Sequence, residues 1–204
     1  MQTVLKGTLE VICGSMFSGK SEELIRRIRR AEFAQQPVQV FKHSLDTRKT
    51  VAHINAHSGH QYPATAAENA QAIKNFLLPE TYIVAIDEIQ FFDANIVPLC
   101  MELVLLKKRV IIAGLDLDFR GLPFGKMPDL LALADSVTKL KAVCNLCGAD
   151  AHHTQRLVGG KPADFNDPLI HIGAEDCYQA RCRNCFKITY NCTNTQQQHK
   201  FYEL

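Results

Sequence analysis

Along the first two thirds of the chain, short β-rich apolar runs alternate with stretches of helical period. Leu9 to Cys13 predicts a first strand, and Lys20 to Ala34 follows with Leu24, Ile28 and Ala31 on one face and arginines on the other. Further strands are predicted over Val38 to Phe41, Tyr82 to Ile86 and Arg109 to Ala113, with helices near 66–78 and 94–107. Strand and helix alternating at this spacing imply an α/β fold, a parallel sheet covered on both faces by helices. Ligands of such a sheet bind at the carboxyl ends of its strands.

The pattern then changes. Val137 to Val143, His152 to Val158, Leu169 to Ile172 and Lys187 to Tyr190 are short runs separated by Gly159-Gly160-Lys161-Pro162 and Asn166-Asp167-Pro168. Cysteine shifts with it: Cys13 and Cys100 stand alone, while Cys144, Cys147, Cys177, Cys182, Cys185 and Cys192 crowd the last third. The expected organisation is an α/β domain over residues 1–141, a small cysteine-rich domain over 142–192 and a frayed tail over 193–204. No internal repeat is visible.

Composition narrows the class. The 204 residues, 47% hydrophobic and 22% charged, suit a globular chain and argue against disorder. No apolar run approaches the roughly 20 residues that cross a bilayer, so no membrane partner is expected. A net charge of +2 supplies no broad cationic field, so nucleic acid is not expected either. Eight cysteines are too sparse for a disulfide scaffold, and Met1 to Val11 lack the apolar core of a secretory signal. The expected location is a reducing cytoplasm, where cysteines are buried, catalytic or metal-bound.

Gly14-Ser15-Met16-Phe17-Ser18-Gly19-Lys20-Ser21 satisfies G-x-x-x-x-G-K-[ST] between a predicted strand and a predicted helix. Backbone N–H groups must converge on phosphate oxygens at a helix N-terminus, which needs small residues in the turn. Lys20 then reaches the β- and γ-phosphates and the Ser21 hydroxyl meets Mg²⁺. An ordinary Gly/Ser turn is the alternative, but chance produces this pattern in about one chain of this length per hundred. Ile83-Val84-Ala85-Ile86-Asp87-Glu88 places two acids at a strand tip. Asp87 is the candidate for the Mg²⁺ side of the site. Glu88 exceeds what the metal needs, and a second acid there usually positions or deprotonates a nucleophile. These features leave open whether water or a bound hydroxyl attacks the γ-phosphate of ATP.

Cys144-x-x-Cys147 and Cys182-x-x-Cys185 are two knuckles of the spacing that puts paired thiolates on one tetrahedral metal. Residues 148–181 separate them, longer than the usual span of about 15 to 20, so a Zn²⁺ would tie the base of a long loop. Four thiolates leave no open position for water, and the metal is expected to be structural. Buried free cysteines and a redox pair are the alternatives. Cys177 and Cys192 lack such pairing and are expected to be free thiols. His53-x-x-x-His57-x-x-His60 imitates a helical metal site, but Lys49 to Pro63 has no clear period and is expected to be a polar loop.

Together these residues closely resemble the type II thymidine kinases, a zinc-containing family, over residues 8–190. The likeness rests on Gly14 to Ser21, Asp46-Thr47-Arg48, Asp87 to Phe92, Gly114 to Gly121 with Pro123-Phe124-Gly125, the two cysteine pairs, and Ile172-Gly173 followed by Tyr178. It implies a P-loop sheet joined to a small zinc-ribbon-like domain with a lasso loop, and transfer of the ATP γ-phosphate to the 5′-hydroxyl of thymidine. By the same resemblance Glu88 is the general base and Asp87 the Mg²⁺-side acid. Asp46 and Arg48 lie near sugar and phosphates, and Ile89 and Gln90 belong to the ATP-side stretch. Phe119 stacks on thymine, and Met16, Leu115 and Thr154 line the base pocket. Arg156 is a cation near the phosphates. The backbone of Leu169, Ile170, His171, Ile172 and Gly173 hydrogen-bonds the base, and Tyr178 closes over it. A homotetramer is implied as well. Ala174 stands where many relatives carry a second glycine, and Cys177 is an added thiol.

Two other functions share some of these features. A zinc-containing P-loop ATPase acting on nucleic acid would need a basic stripe, which +2 does not provide. A non-enzymatic nucleotide sensor would have no use for Glu88 beside Asp87.

Overall fold

The computed structural model describes residues 6–44, 52–55, 59, 61–170 and 178–190. Seven strands, β1 (Thr8–Cys13), β2 (Val38–His43), β3 (Ala52–Asn55), β4 (Gln61–Ala67), β5 (Ile83–Asp87), β6 (Arg109–Gly114) and β7 (Ser136–Lys139), form one sheet. Their order is β3-β4-β2-β5-β6-β1-β7. Every pairing is parallel except the β3–β4 hairpin. The central strands carry near-continuous aliphatic runs because both faces are covered: Ile83, Val84, Ala85 and Ile86 are all fully buried.

Four helices supply the cover: α1 (Lys20–Phe33), α2 (Ala70–Phe76), α3 (Ile96–Leu105) and α4 (Met127–Leu133). On one face α1 buries Leu24, Ile25, Ile28 and Ala31, one stripe of a 3.6-residue period, against Ile12, Val40, Ala85 and Ile111. On the other face α2, α3 and α4 press Ile73, Ile96, Leu103 and Leu130 against Leu9, Val11, Val84 and Ile112. Each such side chain contributes about 1.5–3 kcal/mol on burial.

Past β7 the chain makes small sheets. β8 (Ala142–Val143) pairs with β9 (Asp150–Ala151), and β10 (His153–Val158) lies between β11 (Lys161–Pro162) and β12 (Tyr178–Arg181). Their shared core is Ala142, Cys144, Ala151, Ala180 and Cys182.

Several elements differ from the sequence expectation. Lys49 to Pro63 was expected to be a loop, yet Ala52–Asn55 and Gln61–Ala67 pair as a hairpin that extends the sheet edge. Its outer strands are polar and include Pro63, so pairing rather than local period holds them. The helix expected from 66 begins at Ala70, because β4 runs to Ala67 and the Asn69 side chain caps the helix by accepting from the Ala72 amide at 2.9 Å. The run Val137 to Val143 divides: Ser136–Lys139 joins the large sheet beside β1, and Ala142–Val143 opens the small region. Leu169 and Ile170 are outside any strand, and Lys187 to Tyr190 contributes only a single bridge, Thr189 to Asp164. The helix α4 was not expected; seven residues are too few for a clear period.

Candidate active site

The catalytic candidates collect at the carboxyl ends of β1, β2, β5 and β6. Behind β1 the backbone turns at Gly14, φ 143°, where a Cβ would come 2.4 Å from the Leu140 carbonyl oxygen. The turn ends at Gly19, φ 84°, directly before α1, and no side chain of the described residues caps that helix. Its first-turn amides therefore point at the space over the loop, the arrangement that binds phosphate. Lys20 donates from Nζ to the Ser15 carbonyl oxygen at 2.7 Å. Burial pushes its ammonium down, while Glu88, Asp87 and Asp116 oppose that shift.

Two adjacent carboxylates at the tip of β5 face different partners. Asp87 is buried and accepts from the Ser21 hydroxyl at 3.4 Å and from the Glu88 amide at 3.0 Å. Burial and the neighbouring Glu88 push its carboxyl up to about 7, against the pull of Lys42 and Lys20. Glu88 adopts φ 55°, ψ 39°, a left-handed conformation that costs of order 1 kcal/mol outside glycine. Its Oε2 accepts from Gln90 Nε2 at 2.7 Å, and Gln90 Oε1 accepts from the Leu115 amide at 3.0 Å. The acids thus divide between the phosphate loop and the loop behind β6.

Lys42 is a feature that the periodicity missed. It is buried, in register with Asp87 on the neighbouring strand, and shares the α1 side of the sheet with Val40 and Ala85. The expected second strand stopped at Phe41, two residues short of the end of β2 at His43. The available signal was a cation directly after the apolar pair Val40-Phe41, at the carboxyl end of a parallel strand. Nearby, Lys139 Nζ pairs with the buried Asp116 carboxylate at 2.8 Å and ties the end of β7 to the loop behind β6.

The small sheets approach the phosphate loop from the other side. Thr154 Oγ1 on β10 accepts from the Met16 amide at 3.0 Å, and the Ser15 hydroxyl donates to the Ala151 carbonyl at 3.4 Å. Arg156, also on β10, places its guanidinium 5.0 Å over the Phe119 ring and donates to the Pro168 carbonyl at 2.6 Å. Phe119 is buried, and the loop that carries it is fixed by Asp118, which accepts from the amides of Arg120 (2.8 Å) and Leu122 (3.1 Å). Tyr178 opens β12 opposite Arg156, while Leu169 and Ile170 lie half-exposed beyond Pro168. Phe17, exposed, and Ser18 complete the Gly14–Ser21 loop, and Ile89 is buried in the apolar core against Gly114. Asp46, Arg48, His171, Ile172 and Gly173 lie outside the described residues, as do Ala174, Cys177, Cys192, His57 and His60.

The sulfurs of Cys144, Cys147, Cys182 and Cys185 all lie within 4.8 Å of one another. A tetrahedral zinc thiolate, with metal–sulfur distances of about 2.3 Å, needs sulfurs about 3.8 Å apart. Cys147 and Cys182 are at 3.6 Å, so the donor set fits that ion. Both knuckles are turned by backbone bonds: the Gly148 amide donates to the Cys144 carbonyl (2.9 Å) and the Phe186 amide to that of Cys182 (2.9 Å).

A family model described as thymidine kinase matches residues 7–186. The chain belongs to the thymidine kinase family. It is therefore an ATP-dependent kinase that phosphorylates thymidine, a step of nucleotide salvage, and the family implies ATP and Mg²⁺ in the reaction. A thymidine kinase needs a hydroxyl nucleophile at the γ-phosphate, which answers the question that the phosphate loop alone left open, and nothing favours an ATPase acting on nucleic acid. Among the described residues, no helix of this thymidine kinase is long and apolar enough to cross a membrane.

Proposed function

We propose that Glu88 is the general base of the thymidine kinase reaction and Asp87 the acid on the Mg²⁺ side. The observation that carries this reading is the division of the two carboxylates, Asp87 toward Ser21 and Glu88 away from it toward Gln90. The 5′-hydroxyl oxygen of thymidine attacks the γ-phosphorus, the bond to the β–γ bridging oxygen breaks, and the hydroxyl proton passes to Glu88. Mg²⁺, when bound, would supply positive charge that offsets the charge developing on the transferring phosphoryl group. Ser21 and Asp87 are the residues that would hold it. Lys20 and the amides of Gly14 to Ser21 bind the phosphate chain.

On the nucleoside side, Phe119 offers a ring face to thymine, with Met16, Leu115 and Thr154 around it. A flat base and the Arg156 guanidinium are alternatives for one ring face, which supports Arg156 turning to the phosphates when substrate is bound. The family resemblance assigns Asp46 and Arg48 to sugar and phosphates, the 169–173 backbone to the polar edge of thymine, and Tyr178 to closure over it. We further propose that residues 1–141 bind ATP, that residues 142–192 form a domain folded on a structural zinc at Cys144, Cys147, Cys182 and Cys185, with a tail from 193, and that the enzyme is a cytoplasmic homotetramer.

Glu88→Gln keeps the size and removes the base. Its kcat falls by about 10² to 10⁴ while ATP binding is kept. Retained kcat with only weakened ATP affinity would show that Glu88 belongs to the metal side, and the reading would be wrong.

A further inference from the structure

Gln90 is a polar side chain with only 3% of its surface exposed, and its amide is committed at both ends. The carbonyl Oε1 accepts from the Leu115 amide at 3.0 Å, and Nε2 donates to Glu88 Oε2 at 2.7 Å. A backbone N–H can only donate, so Leu115 fixes which way the amide faces: its oxygen toward β6, its NH₂ toward the carboxylate. Two close approaches leave room for nothing larger. A Cβ on Gly114 would come 2.5 Å from Gln90 Oε1, and one on Gly125 would come 2.3 Å from the Gln90 carbonyl oxygen.

The resemblance groups Gln90 with the ATP-side residues. Its geometry does something else, because both heavy atoms that could meet a nucleotide already bond protein. We infer that Gln90 is a positioning residue: its amide NH₂ anchors one oxygen of Glu88, leaving the other to receive the thymidine proton. This rests on the reading of Glu88 as the base. A carboxylate held at one oxygen cannot rotate about its last bond, and a base must stand within about 2.6–3.2 Å of the proton it takes. Misplacement by 1 Å costs roughly 10²-fold in rate. Because the same amide bonds Leu115, base and nucleoside-side loop are held as one unit.

The test compares Gln90→Leu, Gln90→Met, Glu88→Gln and the double variant Glu88→Gln/Gln90→Leu. Gln90→Met keeps the length of the side chain and removes the NH₂ donor without adding charge beside Glu88, so it decides the matter if Gln90→Leu fails to fold. In both Gln90 variants kcat is expected to fall about 10- to 100-fold. The KM values for ATP and thymidine and the Kd for ADP stay within about threefold, since nothing that binds has been removed. In the Glu88→Gln background Gln90→Leu costs less than about a further twofold, because a residue that acts through Glu88 has nothing left to orient. Wild-type kcat with a weakened ADP Kd would make Gln90 an ATP ligand and overturn the inference. Losses that multiply in the double variant would overturn it as well. Failure of the base reading is distinguishable: Glu88→Gln itself would then keep its rate.

Discussion

In the proposed phosphate site, the Lys20 ammonium is held by the Ser15 carbonyl, a contact within its own loop that a phosphate oxygen can replace. Removal of the side chain is therefore expected to cost chemistry more than folding. Lys20→Ala is expected to lower kcat about 10²- to 10³-fold, the usual cost of deleting one preorganised charge donor. The loop carbonyl loses a partner worth about 1 kcal/mol, which moves Tm by only about 2–4 °C in a chain of this size. Turnover at saturating ATP and a thermal melt on one preparation check both halves. Near wild-type turnover would remove Lys20 from the phosphate site. The strained backbone of Glu88 belongs to the same scale: a left-handed residue at a strand tip turns its side chain out of line with Asp87, so adjacent acids can take different tasks.

At the scale of elements, α1 is fixed on the sheet by charge as well as by its apolar stripe. Glu10 on β1 accepts from Arg27 Nη1 of α1 (2.7 Å) and from Arg109 Nε of β6 (2.5 Å). Arg27 also donates to Glu23 and to Thr138 of β7, each at 2.8 Å. The Glu10 carboxylate therefore links a helix and one further strand, and Arg27 extends the link to β7. Burial alone would raise the Glu10 carboxyl, but the guanidinium groups of Arg109 and Arg27 outweigh it and hold the carboxyl below its ordinary value. A depressed carboxyl stabilises the fold fully above the ordinary value and loses that contribution as pH falls through the folded one. Glu10→Gln is expected to cost about 2 kcal/mol near neutral pH, or roughly 4–8 °C in Tm. The difference closes as pH falls below the ordinary carboxyl range and wild-type Glu10 takes up its proton. Melting curves of both proteins across that range test the claim. A gap that persists unchanged in acid would mean that the side chain acts by packing and not by charge.

At the scale of the molecule, the four-cysteine cluster adjoins the strands that carry the residues proposed for the nucleoside side. Cys182 directly follows β12, which begins at Tyr178 and pairs with the segment of β10 that carries Thr154 and Arg156. Two hydrogen bonds, from Met16 and Ser15, join those small sheets to the phosphate loop, whose own shape is set by β1, Gly14 and α1. Cys182→Ser is expected to lower bound zinc and to raise the KM for thymidine at least about tenfold, with the KM for ATP changing less than about threefold. Zinc content, helicity by circular dichroism and both KM values are measured on the same sample, since a structural zinc also contributes folding energy. Folded, zinc-depleted enzyme with an unchanged thymidine KM would separate the metal from the nucleoside site.

The sequence by itself determined the parts whose requirements are local. The phosphate loop needs small residues between a strand and a helix, and Gly14 to Ser21 announce it without reference to the rest of the chain. The cysteine pairs are equally local, because two thiolates on one metal need a fixed short spacing. The central strands and α1 were legible from burial on both faces and from a clean helical stripe. Tertiary structure decided whatever depends on a distant partner. The run Val137 to Val143 reads as one short element at the domain boundary, yet its first part belongs to β7 and pairs with β1, and the Asp135 carboxylate accepts from the Leu9 amide across most of the chain. The β3–β4 hairpin is polar and contains proline, so only the edge of β2 makes it a strand pair. Gln90 next to Asp87-Glu88 could have met ATP, metal or protein. The amide of Leu115, directly after the strand laid alongside β5, settles that its oxygen faces the end of β6 and its NH₂ faces Glu88. Periodicity reports which face of an element is buried but not what lies against it, and hydrogen bonds between residues far apart in sequence form only when the sheet order brings their strands together.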